Sequence, residues 1–282
     1  YEHAELKVDT YNTIDRSNVT QDNVTVQGGN PDFNETLFNA GVVYQATDQL
    51  QLFANYSEGF GMPDVGRVLR GIRDAGQDVD NLLVLEPIIT DNREIGGRFD
   101  WDRYHFEVSY YESDSDFGER LTEVNGTWVG NREKTEIQGV EITADADLND
   151  AHNLAFSYTY ADGESDTDGD GDVDTELSGI NIAPETLKLS WSAAWTKRLS
   201  SHLQFTQFLD RDIEGDDLDF DGYGLVDGSM AYRTRAGKFS LGIENLLDKD
   251  YFTYYSQSAR VSDEYYFQGR GRTVTLGYQL DF

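Results

Sequence analysis

The sequence has no cysteine, only four prolines, and 22 lysine or arginine residues against 53 aspartate or glutamate residues in a length of 282. Each shortage excludes something. Without cysteine there is no disulfide scaffold, thiolate-ligated zinc or thiol chemistry. A net charge of −31 lacks the basic footprint that phosphate contact requires, so no nucleic-acid partner is expected. No run of about 18 apolar residues occurs, which excludes a membrane-spanning helix. The amino terminus, YEHAELKV, lacks the basic and apolar regions of a signal peptide, so the chain reads as a piece of something longer or as a mature segment. His3, His105, His152 and His202 are scattered without ligand spacing, and no Ser-His-Asp arrangement can be traced. An enzyme is not expected.

Aromatic residues, by contrast, make up 13% of this polar chain, with 17 Tyr and 15 Phe, and they fall into a pattern of period two. In TLFNAGVVYQA, Phe38, Ala40, Val42 and Tyr44 alternate with Leu37, Asn39, Gly41 and Gln45. In RYHFEVSYYES, Tyr104, Phe106, Val108 and Tyr110 face away from His105, Glu107 and Ser109. NLAFSYTYA and TLKLSWSAAW repeat the pattern with Leu154, Phe156, Tyr158 and Tyr160, then Leu187, Leu189, Trp191, Ala193 and Trp195. Such alternation marks strands with one apolar and one polar face. About twelve segments show it, near residues 1–11, 36–46, 50–60, 90–100, 103–113, 134–147, 153–162, 186–196, 201–211, 222–233, 238–247 and 270–282. Many run about ten residues, close to the nine to eleven that a tilted strand needs to cross a bilayer.

The connections alternate in length. TDQ, WD, LNDAH, TKRLS and TRAGK are short, whereas 61–89, 114–133, 163–185 and 248–269 are long. Tight turns at one end and long loops at the other are the asymmetry of a transmembrane β-barrel. A soluble sandwich shares the strand alternation but has no reason to gather its long loops at one end. The expected fold is therefore all-β, an antiparallel transmembrane barrel with about twelve strands in this chain. Phe38, Val42, Leu52, Tyr56, Phe106, Val108, Leu154, Phe156, Leu189, Trp191, Leu276 and Tyr278 should face lipid. Glu94, Glu107, Glu141, Ser157, Lys188, Thr275 and Gln279 should face the lumen.

Several stretches together resemble the barrel of a TonB-dependent outer-membrane receptor of the ferric-siderophore type. LFANYSEGFGMPDVG resembles the family's Tyr-Ser-x-Gly-Phe-x-x-Pro strand end, and DNREIGGRFD and EIQGVEITAD resemble its Asn-x-Glu-x-Gly and Gly-Val-Glu strands. GIENLLDKDYF and GRGRTVTLGYQLDF resemble its Asn-Leu-x-Asp-x-x-Tyr segment and final strand, with Phe282 similar to the carboxy-terminal assembly signature. The resemblance implies that residues 1–282 are the C-terminal portion of a 22-stranded barrel, with the plug domain absent. It implies active uptake of a ferric siderophore or similar metal chelate, energised by the TonB-ExbB-ExbD complex through the missing N-terminal region. It further implies a bacterial cell outer membrane location among lipid and lipopolysaccharide. No covalent cofactor is implied, and iron enters only as the transported chelate. The alternatives are a complete twelve-stranded outer-membrane channel and a soluble β-sandwich binding module.

Three candidate sites stand out. Arg67, Arg70 and Arg73 are spaced three apart in a long loop of a very acidic chain. On a helical turn they would share a side and offer bidentate forks to an anionic chelate; the plainer reading pairs them with Asp64, Asp74 and Asp78. DTDGDGDVD places Asp166, Asp168, Asp170 and Asp174 at the first, third, fifth and ninth positions of a calcium-loop pattern, with Gly171 at the sixth. Leu177 stands where the bidentate Glu belongs, with Glu176 adjacent, so a Ca2+ site there should be weak; otherwise the run is a solvated acidic tip. Tyr254 and Tyr255, in the last long loop, would either stack on a chelate or join the interfacial girdle that Tyr265, Tyr266 and Phe267 should form.

Overall fold

β-Branched and aromatic side chains at every second position favour an extended chain that covers one face, and strands are what form. The structure, a computed structural model, describes residues 1–14, 23–62, 64–72, 78–81, 86–124, 127–212, 219–258 and 266–280. Four short strands come first: β1 (Glu2–Glu5), β2 (Tyr11–Ile14), β3 (Asn23–Val26) and β4 (Asp32–Glu35). Then come β5 (Asn39–Gln45), β6 (Leu50–Gly61), helix α1 (Val65–Gly71), β7 (Ile88–Trp101), β8 (Tyr104–Val124) and β9 (Thr127–Asn149). The remainder is β10 (His152–Ser165), β11 (Thr175–Glu176), β12 (Thr186–Ala194), β13 (Leu199–Phe208), β14 (Tyr223–Thr234), β15 (Gly237–Glu244), helix α2 (Tyr254–Ser258) and β16 (Thr273–Gln279).

From β5 to β16 the strands form one antiparallel sheet in which each pairs with the next along the chain, except that the small β11 lies off the path against β10. Among the described residues this wall is open, with β5 and β16 at its edges. Register sorts the side chains cleanly. One cross-strand row reads Leu50, Phe99, Phe106, Ala144, Phe156, Leu189, Phe205 and Val226. The adjacent row, one residue over, reads Gln51, Arg98, Glu107, Thr143, Ser157, Lys188 and Thr206. Nothing covers the apolar face: Ile95 is 62% and Leu276 80% exposed. The expected lipid-facing and lumen-facing sets fall on opposite faces of the sheet. An uncovered belt this wide is incompatible with a soluble sandwich, whose apolar faces pack on each other.

Five tight connections, 46–49, 102–103, 150–151, 195–198 and 235–236, lie at one end of the wall, and the long connections lie at the other. Threonine closes three of the tight turns. Thr47 Oγ1 accepts from the Gln49 and Leu50 amides, Thr196 Oγ1 from those of Arg198 and Leu199, and Thr234 Oγ1 from that of Ala236. A short hydroxyl side chain at the turn entry replaces backbone partners that the strands no longer supply. On the polar face two glycines lie beneath aromatic rings: a Cβ at Gly96 would overlap Phe53 and the Val108 carbonyl, and one at Gly139 would overlap Tyr111 and the Tyr160 carbonyl.

Two expectations need correction. The segment near 1–11 is not a wall strand: β1 pairs with β4 and β2 with β3 in separate two-stranded sheets. Its apolar residues Leu6, Val8 and Tyr11 pack instead on a small core of Val24, Val26, Ile72 and Val79, together with Val65, Val68 and Leu69 of α1. Alternation reports that one face is covered, not by what. The expected loop 114–133 is mostly strand, because β8 and β9 run for 21 and 23 residues and stay paired to Val124 and Thr127, with a register shift between Ser115 and Gly118. Both strands outrun the ~9–11 residues that span a bilayer, so their outer halves form a projecting ribbon.

Lipid exposure of one face gives a direct test in a membrane-inserted barrel containing this chain. Leu276→Arg, mid-strand on the apolar face, should destabilise folding by about 2–4 kcal/mol, whereas Thr275→Arg on the polar face should change it by less than about 1 kcal/mol. Urea unfolding in lipid vesicles measures both, and equal losses would refute the assignment of faces.

Candidate functional site

The polar face is a lattice of charge pairs. Arg98 grips Glu107 through two bonds, Nε–Oε2 at 2.6 Å and Nη2–Oε1 at 3.3 Å, and its guanidinium lies 4.7 Å from the Phe53 ring centroid. Beyond the tight-turn side, His105 Nδ1 meets Asp100 Oδ1 at 2.6 Å. Together with Lys188 and Asp145 these groups line an open depression of about 390 Å³. Arg98 and Glu107 satisfy each other, as do His105 and Asp100, which suits a water-filled lumen more than a built binding pocket.

The long-connection end is where chain segments from distant parts of the sequence meet. After β15 the chain is tied down by Asn245, which is buried with φ +48°. Its amide group donates to the Lys249 and Arg270 carbonyls at 2.9 and 3.1 Å, and its oxygen accepts from the Lys249 amide at 2.8 Å. Asp248 accepts from the Arg272 amide at 2.8 Å, and Tyr251 lies flat over Gly269. The Asn-Leu-x-Asp-x-x-Tyr stretch is thus a clamp that closes the last long connection onto the start of β16.

Above this clamp, Phe208, Tyr223, Tyr251, Phe220 and Tyr254 form a continuous aromatic cluster, with centroid separations of 4.6–6.0 Å. The Tyr254 hydroxyl donates to the Ile182 carbonyl, and its ring meets Phe220 edge-on. Burial holds its phenol above the ordinary tyrosine range. Gln257, also buried, exchanges bonds of 3.0 Å with both the amide and the carbonyl of Asp221. Helix α2 is therefore fastened to the 177–185 and 209–222 connections. Tyr255, beside Tyr254, points away and is 75% exposed.

One cation holds the neighbouring connection. Arg211 is paired with Phe220 through both backbone groups, and its guanidinium reaches the Ala161 carbonyl, Asp162 at 3.3 Å and Glu176 at 3.9 Å. In the sequence Arg211 is a lone cation inside the acidic stretch LDRDIEGDD, and that isolation is the one local signal of its role.

The acidic loop between β10 and β11 is ordered around Asp166. Its two oxygens accept from the Gly169 and Gly171 amides at 2.7 and 3.1 Å, and both glycines have positive φ, +76° and +99°. Carboxylate oxygens of Asp166, Asp168 and Asp170 lie within 4.8 Å of one another. Asp174 is not in that group and meets the Thr175 hydroxyl at 3.4 Å.

The arginine trio is only partly in view. Arg67 and Arg70 belong to α1, whose partly buried Val65, Val68 and Leu69 pack on the small core, but the side chains of both arginines are outside the described residues, as is Arg73 altogether. Tyr265 too lies outside the described residues. Phe267 is exposed next to the clamp, while Tyr266 stacks on Phe252 at 3.8 Å. A cleft of about 640 Å³ between β4 and the outer parts of β7 and β8 is lined by Asp32, Glu35, Glu86, Asp91, Asp114 and Asp116. Six carboxylates repel an anion, so an anionic ligand would find its counter-charges elsewhere.

An open antiparallel wall with an uncovered apolar face, a paired polar face, tight turns at one end and tied-down long connections at the other defines an outer-membrane β-barrel. Residues 1–246 match the family model "TonB dependent receptor-like, beta-barrel", and the chain belongs to that family. It is 28% identical over 276 residues to the ferric aerobactin receptor of Klebsiella pneumoniae, covering 91% of this chain and 37% of that protein. It is 30% identical over 273 residues to the rhizobactin receptor of Rhizobium meliloti (strain 1021), covering 89% and 36%. Among solved structures it superposes on the copper transporter OprC with a TM-score of 0.70 at 18% identity, covering 90% of this chain and 39% of that one. The chain thus spans a little over a third of the length of these curated relatives, and its tight turns face the periplasm.

Tyr254 tests the loop architecture. Tyr254→Phe removes the hydroxyl bond to Ile182, and should weaken the docking of α2 by roughly 1 kcal/mol. Because its phenol is raised by burial, the wild-type contact should hold below the ordinary tyrosine range near pH 10 and weaken as pH climbs through the raised value. Hydrogen exchange across 178–182 and 252–258 reads both effects; the variant should lack the alkaline component.

Proposed function

We propose that the protein containing this chain is an active transporter of the outer membrane that takes up a ferric siderophore and is energised through TonB. The carrying observation is the pair of matches to ferric aerobactin and rhizobactin receptors across about nine-tenths of the chain. The architecture supports transport rather than catalysis: a wall that shields a polar lumen from lipid, with its long connections gathered at the outer end. The TonB-ExbB-ExbD complex would act through the plug-bearing part of the parent protein, and lipopolysaccharide would surround the outer aromatic and charged rim.

Within this reading, Arg67, Arg70 and Arg73 supply counter-charges to an anionic chelate, exposed Tyr255 offers a stacking face, and Tyr254 fixes the helix that presents it. The support is the position of α1 directly after the outer end of β6, in a chain whose other outer cleft is acidic. Each arginine–carboxylate bond would contribute about 1.5–3 kcal/mol. Replacing all three by alanine in the full-length receptor should raise the dissociation constant for ferric aerobactin at least tenfold, with barrel assembly unchanged. Tight binding of ferric aerobactin by the wild type with no loss in the triple variant would move the contact away from α1; no binding by the wild type would point to a different chelate.

The Asp166–Asp174 loop is a weak calcium site in the same reading. Three convergent carboxylates and two glycines in the left-handed region support it, and the lack of Glu at the twelfth position argues for low affinity. Titration calorimetry of the receptor should give calcium heat at millimolar concentration that disappears in Asp168→Ala. Absence of heat would leave a solvated turn.

A further inference from the structure

The tight-turn end is uneven in charge. The turn after β12 reads TKRLS and the turn after β14 reads RTRAGK. Over residues 195–199 and 232–239 these two turns hold Lys197, Arg198, Arg233, Arg235 and Lys238 and no carboxylate, in a chain with a net charge of −31. The Arg233 amide donates to the Arg198 carbonyl at 2.8 Å, so the two turns touch and their charges form one patch. Lys197, Arg198, Arg233 and Arg235 are exposed, and among the described residues none of the five side chains has an ion-pair partner. The tight turns on the other half of the wall carry Asp48, Asp102 and Asp150, the last paired with Arg103 at 2.8 Å.

An aromatic row adjoins this patch on the lipid side. Tyr232, Phe239 and Tyr278 are cross-strand neighbours in one row, Trp195 flanks the first turn, and all four are about half exposed. Two of them are held by their polar atoms: Trp195 Nε1 donates to Ser201 Oγ at 2.8 Å, and the Tyr278 hydroxyl to the Ala236 carbonyl within the second turn. Amphipathic rings of this kind sit at the level of lipid headgroups. Basic side chains one turn beyond that level meet phosphates, and each one near an anionic bilayer surface strengthens attraction to it.

We infer that the Lys197–Arg198 and Arg235 turns, with the Trp195–Tyr232–Phe239–Tyr278 row above them, bind the headgroups of anionic phospholipids in the periplasmic leaflet. Arg233 and Lys238 stand opposite each other in the hairpin register on the lumen-facing side, behind the tips, and add to the local potential. The asymmetry would orient the barrel's anionic lipid shell toward the β12–β16 side and leave the β5–β10 side, with its acidic turns, to neutral lipid. The inference rests on the wall's orientation in the membrane and not on which chelate is transported.

The test uses the full-length receptor in detergent doped with equal amounts of phosphatidylglycerol and phosphatidylcholine, with retained lipids counted by native mass spectrometry. Wild type should retain phosphatidylglycerol preferentially. Lys197→Gln, Arg198→Gln and Arg235→Gln together should reduce that preference by about a hundredfold, at roughly fivefold per charge, and higher ionic strength should erode it. A control with Arg93→Gln and Lys134→Gln, at the other end of the wall, should keep it. Equal retention of the two lipids by wild type, or an unchanged preference in the triple variant, overturns the inference. So does a triple variant that keeps the preference but exposes the parent's N-terminal region to proteolysis, which would make an acidic protein segment the partner.

Discussion

Every peptide group in the wall has to find its hydrogen-bond partner on a neighbouring strand, because hydrocarbon supplies none. That constraint explains the unbroken antiparallel ladder from β5 to β16. It also explains why the chain tolerates so large an apolar surface on its outside: lipid, not a second layer of protein, is the solvent for that face. The two edge strands carry the same requirement outward. β5 and β16 offer full rows of donors and acceptors, and in a 22-stranded barrel the remaining strands would satisfy them.

Once the ladder is imposed, the two ends of the wall are free to differ. At the periplasmic end, threonine hydroxyls close turns of two to four residues with little chain to spare. At the outer end the ladder of β8 and β9 continues past the bilayer, and the described parts of the other connections fold into small packed units. Those units need their own cores. One is built around Val24, Val26, Ile72 and Val79, the other around Phe220, Tyr223 and Tyr254. Buried Asn245 and Gln257 supply the polar bonds that a loop without a ladder requires. Packing of this kind offsets the entropy that a long connection loses when it is fixed in one geometry.

Much of this was legible in the residues. Period-two alternation places Phe106, Leu189 and Leu276 on one face and Glu107, Lys188 and Thr275 on the other because a pleated strand has no freedom in that respect. Turn length gave the sidedness. The Asn245–Tyr251 stretch was visible as a family pattern, yet its role as a clamp on Gly269 and Arg270 was not, since those partners lie some twenty residues away. The strand character of 114–133 was hidden for a different reason. In DSDFGERLTE charged and polar residues occupy both parities, some of them partly buried, as in the Arg120–Glu133 pair, so alternation no longer marks the strand, while the backbone ladder that defines it goes on past a register shift.

The candidate site divides along the same line. Local chemistry is written locally: the carboxylates of Asp166, Asp168 and Asp170 converge because a short glycine-containing turn brings them together. The sequence alone therefore determined the strand faces, the membrane setting and the acidic turn, all of which follow from spacing within about ten residues. Tertiary structure alone decided that residues 1–14 and 23–35 cap α1 instead of joining the wall, and that Tyr254 faces inward while Tyr255 faces out. It alone brought the basic turns after β12 and β14 into one patch. These depend on which segments meet across long stretches of chain, and side-chain type constrains that only through the packing and hydrogen bonding of the folded whole.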